Sequence, residues 1–148
     1  MISSSNVFWT VTVEELPAYD PANPRSRLIR GGPLIKLGAL QELLASGTFD
    51  TDEQFWIATD KCENDLRKEQ WSVDDVLQML LKMNGSEDYR KSEWCQVARG
   101  RMVACDVYAT RFDAVHQRRH PQGLEVYMKF SIDDDSVVTI ALVSCHAS

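Results

Sequence analysis

Apolar residues recur at helical spacing in two places. Leu34, Leu37, Leu40, Leu43 and Leu44 fall along one face, and Gly47 follows where a helix would stop, so the spacing predicts an amphipathic helix over 34–46. Ser72 stands as an N-cap before Asp74 and Asp75, and Val73, Val76, Leu77, Leu80 and Leu81 form a stripe that stops near Asn84 and Gly85, which predicts a second helix. The stretch 51–69 carries a weaker helical or mixed pattern. After Gly85 the period shortens, and 102–108, 124–132 and 137–144 read as three strands. Asp133-Asp134-Asp135-Ser136 supplies turn-forming residues for a hairpin between the last two. Near the start, Phe8-Trp9-Thr10-Val11-Thr12-Val13 predicts a short strand. Pro17, Pro21, Pro24 and Pro33 with Gly31-Gly32 then mark an irregular arm, because proline fixes φ and removes a donor. This divides the chain into an N-terminal arm with a short strand over 1–33, acting as a linker, lid or docking segment, and one domain over 34–148. Helices before strands imply an α+β fold in which N-terminal helices pack on a C-terminal antiparallel sheet and leave one sheet face able to hold a site.

Composition narrows the class. The chain has 148 residues, 44% hydrophobic and 26% charged, enough for one sizeable core. No apolar run is long enough to cross a bilayer, and Met1-Ile2-Ser3-Ser4-Ser5-Asn6 lacks the basic and apolar parts of a secretion signal, so a cytoplasmic protein is expected. Cys62, Cys95, Cys105 and Cys145 show neither CxxC nor zinc-ligand spacing and read as reduced thiols. The formal charge of -6 argues against indiscriminate coating of nucleic acid, since phosphate neutralisation dominates that affinity. Basic residues nevertheless cluster at Arg25, Arg27 and Arg30, at Arg90 and Lys91, and at Arg111, Arg118 and Arg119, so a local cationic cleft is compatible with the acidic remainder.

Chemistry concentrates in four short pieces: Asp88-Tyr89-Arg90-Lys91-Ser92, Cys105-Asp106-Val107-Tyr108, Val126-Tyr127-Met128-Lys129-Phe130 and Val143-Ser144-Cys145-His146. Each sets Lys, Tyr or His in or beside a strand-like run, and such side chains can move protons around a phosphodiester without a metal. In order and spacing the pieces resemble the MqsR family, toxins of bacterial toxin–antitoxin modules that are RNA interferases with a RelE-like ribonuclease fold. Together with the leucine-rich helix and Ala45-Ser46-Gly47, the resemblance covers about residues 34–146. The pieces are similar to the family's Asp-Phe-Tyr-Lys-Ser, Gln-Asp-Val-Tyr, Val-Tyr-Leu-Lys-Ile and Val-Ser-Phe-Lys.

The resemblance implies a catalytic set at Lys91, Cys105, Tyr127 and His146. Lys91 and Tyr127 keep the family's residues, whereas Cys105 replaces a Gln and His146 a Lys. It further implies a metal-independent endoribonuclease acting on single-stranded mRNA by 2′-OH attack, without cofactor or metal, with a cognate antitoxin and no DNA binding by the toxin alone. In that chemistry Lys91 stabilises charge on the phosphate, assisted by Arg90, Arg111 and Lys129 as RNA-binding residues. His146 brings the side chain that ordinarily titrates near neutrality, and Tyr127 orients the 2′-OH or the phosphate.

Plainer readings stand beside these. Lys91 also reads as a solvated surface lysine, Tyr127 as an ordinary strand aromatic, and Cys105 as a small buried residue. His116 and His120, with Gln117, Arg118 and Arg119, form a polar loop whose i, i+4 histidines lack a nearby third zinc ligand. Two other functions remain open: a catalytically silent binding module for RNA or a protein partner, and a Cys-His hydrolase built on Cys105 or Cys145, which no protease signature accompanies.

Overall fold

Side-chain caps from Asp50, Thr59 and Ser72 start three of the helices, whereas the helix expected over 34–46 begins at Leu37 with no side-chain cap. In the computed structural model, which describes residues 5–134 and 137–148, the helices are α1 (Ser5–Phe8), α2 (Leu37–Ala45), α3 (Thr51–Gln54), α4 (Asp60–Glu69) and α5 (Val73–Lys82). At the start of α5, Ser72 Oγ accepts from Asp75 N at 3.1 Å while Asp75 Oδ2 accepts from Ser72 N at 2.9 Å, a reciprocal capping box. Its last carbonyls are satisfied from outside: Gln41 Nε2 on α2 donates to Leu80 O, Leu81 O and Met83 O at 2.9–3.1 Å. Thr59 caps α4 by accepting from Cys62 N, and its hydroxyl donates to Val143 O, which ties the helix to the last strand.

The strands are β1 (Leu28–Ile29), β2 (Phe55–Ile57), β3 (Tyr89–Gln96), β4 (Met102–Asp113), β5 (Arg118–Arg119), β6 (Leu124–Asp133) and β7 (Thr139–Ala147). They form one sheet in the order β1-β3-β4-β6-β7-β2, antiparallel except for the parallel β2–β7 pair, with β5 paired to β4. Leu40, Leu66, Val76, Met79 and Leu80 from the helices pack on Tyr108, Phe112, Met128, Phe130, Ile140 and Leu142 from the sheet. This is an α+β architecture with its helices on one sheet face. None of the helices among the described residues is long and apolar enough to cross a membrane.

Several details differ from the sequence expectations. The strand expected over 8–13 is a helical turn through Phe8, one bridge between Trp9 and Ile35, and a 3-10 turn at Val13–Glu15. Thr10 N bonds Leu34 O and Lys36 N bonds Phe8 O, but the partner segment then enters α2, so the ladder stops. The arm carries β1, which pairs with Ser92 and Glu93, and Trp94 Nε1 donates to Pro17 O at 3.0 Å. Within 51–69, Phe55–Ile57 forms β2, drawn from weak local propensity by pairing with Ile140–Leu142. β3 falls where no strand was expected. Asp135 and Ser136 of the expected hairpin, and residues 1–4 of the expected leaderless start, lie outside the described residues; on either side of the hairpin Asp133 pairs with Thr139.

A buried polar latch fastens the arm to β4. Asp106, with no exposed surface, accepts from Leu34 N at 3.1 Å, Ile35 N at 2.9 Å and Ser92 Oγ at 2.6 Å. Gly32 lies against Ser92 Oγ and Tyr89 Oη so closely that a Cβ there would collide with both. Beneath the latch Tyr108 stacks on Phe130 at 5.8 Å, and its hydroxyl, fully buried, has no hydrogen-bond partner among the described residues. An unpaired buried hydroxyl costs more than it returns. Tyr108→Phe is therefore expected to raise stability by about 1 kcal/mol, read as a higher urea midpoint with unchanged slope.

Candidate functional site

Strand alternation sends neighbouring residues to opposite faces, and the uncovered face collects the charged ones. On β3 Ser92 enters the core latch, whereas Lys91 and Glu93 face outward; on β6 Met128 and Phe130 enter the core, whereas Tyr127 and Lys129 face outward. Register then aligns them in rows across the sheet. Lys91 pairs with Val107, Val107 with Lys129 and Lys129 with Ser144, while Tyr127 pairs directly with His146. Lys91, Lys129, Tyr127, Ser144 and His146 line one cleft of about 400 Å³ with Glu93 in its floor. The three sequence-predicted groups, an ammonium, a phenol and an imidazole, thus share one surface.

Two irregularities of the backbone border this cleft. The β3–β4 register shifts between Tyr89 and Lys91, so Arg90 is the extra residue, and the β6–β7 register shifts after Lys129, so Val143 is the extra one. Bulges bend a strand and re-aim its side chains. Here they lie beside Lys91 and beside the strand end that carries Ser144 and His146.

Glu93 organises the charges, and sequence reasoning missed it. Its carboxylate receives Lys91 Nζ at 3.0 Å and Lys129 Nζ at 2.9 Å, leaving one net positive charge among the three groups. The Glu93 side chain is only 10% exposed, against 26% for Lys129 and 54% for Lys91. Burial pushes the Glu93 carboxyl up, but hydrogen bonds from Lys129 and then Lys91 overcome it and hold the carboxyl below the ordinary glutamate value. Burial likewise works against the Lys129 ammonium, and its bond to Glu93 turns the balance upward. Because the folded value of Glu93 is depressed, its stabilisation is complete above the unfolded value near 4.5 and is lost as pH falls through the lower folded value. Acid unfolding of the wild type is expected to steepen below that point, and Glu93→Gln to flatten the curve, in urea titrations taken at successive pH values.

Tyr127 and His146 stack, with ring centroids 5.8 Å apart and planes at 30°. Tyr127 Oη donates to Glu125 Oε1 at 3.3 Å, and His146 Nδ1 lies 3.1 Å from Ala147 O. A carbonyl only accepts, so Nδ1 carries a proton and Nε2 of the neutral ring is the acceptor.

Cys105 requires a correction. It is expected in the catalytic set, yet it has no exposed surface: it pairs in register with Glu93 on the cleft's face of the sheet and is packed there in a buried cluster with Cys95 and Val143. Burial, then its contact with Cys95, pushes its thiol well up, so it neither touches a substrate nor ionises readily. Among the predicted RNA-binding residues, Lys129 lies inside the cleft and Arg90 on its rim, while Arg111 belongs to a neighbouring cleft of about 460 Å³ with Arg119 and His120. Arg119 is a fastener: Nε and Nη2 meet Asp88 at 3.1 and 3.0 Å, and Nη2 meets Glu87 at 3.0 Å. His116 Nδ1 bonds Asp113 Oδ2 at 2.6 Å, and His120 Nδ1 accepts from Gln122 N. Among the described residues, no three His, Cys, Asp or Glu side chains gather as a metal site.

No family model matches the chain, and neither a curated protein nor a solved structure matches it.

Proposed function

We propose that this protein is an endoribonuclease that cleaves single-stranded RNA by attack of a ribose 2′-OH on the adjacent phosphorus, and that it is the toxin of a toxin–antitoxin pair related to the MqsR family. The observation that carries the reading is the gathering of Lys91, Lys129, Tyr127 and His146 around one cleft from three different strands. In the reaction the O2′–P bond forms and the P–O5′ bond breaks, and the departing O5′ takes a proton from water, giving a cyclic phosphate and a 5′-OH. Nε2 of neutral His146 takes the 2′-OH proton, and Tyr127, stacked on the imidazole, orients the attacking ribose. Lys91 and Lys129 stabilise the charge that builds on the phosphate oxygens. Glu93, with its depressed pKa, is a poor proton acceptor and serves as the positioning residue that holds both ammonium groups. The antitoxin partner rests on the family resemblance alone.

Purified protein should cut single-stranded RNA in the presence of a chelator and leave cyclic phosphate and 5′-OH ends, and a Lys91→Ala, Tyr127→Phe, His146→Ala triple variant should be folded and inert. RNA left intact by the wild type, together with harmless expression in bacteria, sinks the proposal. One observation favours a second reading, a silent RNA-binding module: both lysines are already engaged by Glu93. A triple variant that binds RNA as the wild type does, where neither cuts it, would establish that reading.

A further inference from the structure

The neighbouring cleft is lined by three arginines and three carboxylates, and among the described residues only Arg119 of the arginines is ion-paired there. It lies beside the first one, and Arg90, the extra residue of the β3 bulge, lines both. Two of its acidic residues are committed to a cation, since Asp88 accepts from Arg119 and from Asn84 N and Glu87 pairs with Arg119, while Glu125 accepts a neutral bond from Tyr127 Oη. Two guanidinium groups are not committed to any carboxylate among the described residues. Arg90 Nη1 donates to the carbonyl of Glu87 at 3.1 Å and to that of Tyr89 at 3.5 Å, and Arg111 Nη1 donates to the carbonyl of Gly123 at 3.2 Å. Both side chains are exposed. A carbonyl bond leaves the positive charge uncancelled and most of the five guanidinium N–H groups available, the arrangement that suits phosphate oxygens.

Register gives the separation. Val107 pairs with Lys129 and Arg111 with Glu125, four residues further along both strands on the same face. At a rise of about 3.3 Å per residue the two rows lie ~13 Å apart, several times the ~3.4 Å step between stacked nucleotides, so one phosphate cannot serve both. The row of Tyr127 and His146 falls between them. A volume of about 460 Å³ is in the range of a small-molecule site and suits a nucleotide unit.

We infer that the Arg90–Arg111 cleft is a subsite for a nucleotide flanking the one that is cut, with the flanking phosphate held by the two guanidinium groups, so that RNA lies along β4 and β6 from Lys91 past Tyr127 to Arg111. This rests on the ribonuclease reading for the meaning of the first cleft, but its own content is a length-dependent RNA contact. The test uses fluorescently labelled, uncleavable 2′-O-methyl RNA of mixed sequence, from two to eight nucleotides, with binding followed by anisotropy at several salt concentrations.

Wild-type affinity should climb with length until both clefts are filled. Arg111→Gln should weaken binding of the longer oligomers by about 10-fold while leaving the shortest unchanged, and lower the slope of log K against log salt by about 0.7, one phosphate contact on a single strand. Arg111→Lys, which keeps the charge, should restore most of the slope, an effect that loss of the Gly123 bond alone would not produce. Equal binding of every length by wild type and Arg111→Gln overturns the subsite, as does a wild type that binds no oligomer. Length-dependent binding that needs Arg111, in a protein that cuts no RNA, supports the subsite and overturns only the nuclease.

Discussion

His146→Ala is expected to slow RNA cleavage by about 10²–10⁴-fold, the usual contribution of one positioned acid or base, with little change in thermal stability. His146 is half-buried near the end of β7, and its ring stacks on Tyr127 without entering the core. Removing it costs that ring contact and the bond to Ala147 O, and leaves the buried neighbours Cys145 and Val126 in place. The substitution therefore separates chemistry from folding. His146→Lys gives a sharper readout: an ammonium that ordinarily titrates near ~10.4 is a poorer proton acceptor near neutrality, so residual activity should rise as pH is raised toward that value. A His146→Ala variant that cleaves at the wild-type rate would remove the imidazole from the reaction altogether.

Asp106→Ala should have the largest effect on folding, a loss of about 3–5 kcal/mol, a substantial part of the ~5–15 kcal/mol that holds a domain of ordinary stability. The substitution strands three buried donors at once: Leu34 N, Ile35 N and Ser92 Oγ. Two of these belong to the segment that joins the arm to α2, so the loss would release the arm as well as weaken β4. Asp106→Asn should fall between wild type and Ala. Its remaining oxygen can keep the bonds to Leu34 N and Ser92 Oγ, but its amide would face the Ile35 N–H, donor against donor. Differential scanning calorimetry of the three proteins tests the order; an Ala variant as stable as wild type would mean the latch contributes nothing.

The same short pieces explain how far the sequence could be read. Lys91 and Ser92 are adjacent, yet one faces the cleft and the other the latch; Cys105 and Asp106 divide in the same way. A motif read along the chain mixes catalytic candidates with fasteners, because a strand alternates faces at every residue. Asp88, Ser92 and Asp106 carry the pattern through structural hydrogen bonds, and Lys91, Tyr127 and His146 line the cleft. The long amphipathic helices were legible because their period is set locally. β2 was hidden because its partner lies some 85 residues away, at Ile140–Leu142. β3 was hidden by its charged outer face, and with it Glu93: once Tyr89–Gln96 is seen as a strand, Lys91 and Glu93 at i, i+2 share a face and Lys129 lies across from them. The arm was read from its prolines, which say where regular structure is costly but not what the chain between them touches.

The stubs that close the sheet bear on how the molecule survives at high concentration. Long exposed strands invite a second chain to add itself and begin a fibre. Here each flank is finished by a fragment, Leu28–Ile29 beside β3 and Phe55–Ile57 beside β7, too short to template growth. The first lies in the arm between Pro24 and Pro33, and the second leads through Ala58 and Thr59 into α4. Trimming either fragment is expected to uncover more of the β3 or β7 edge and to favour aggregation.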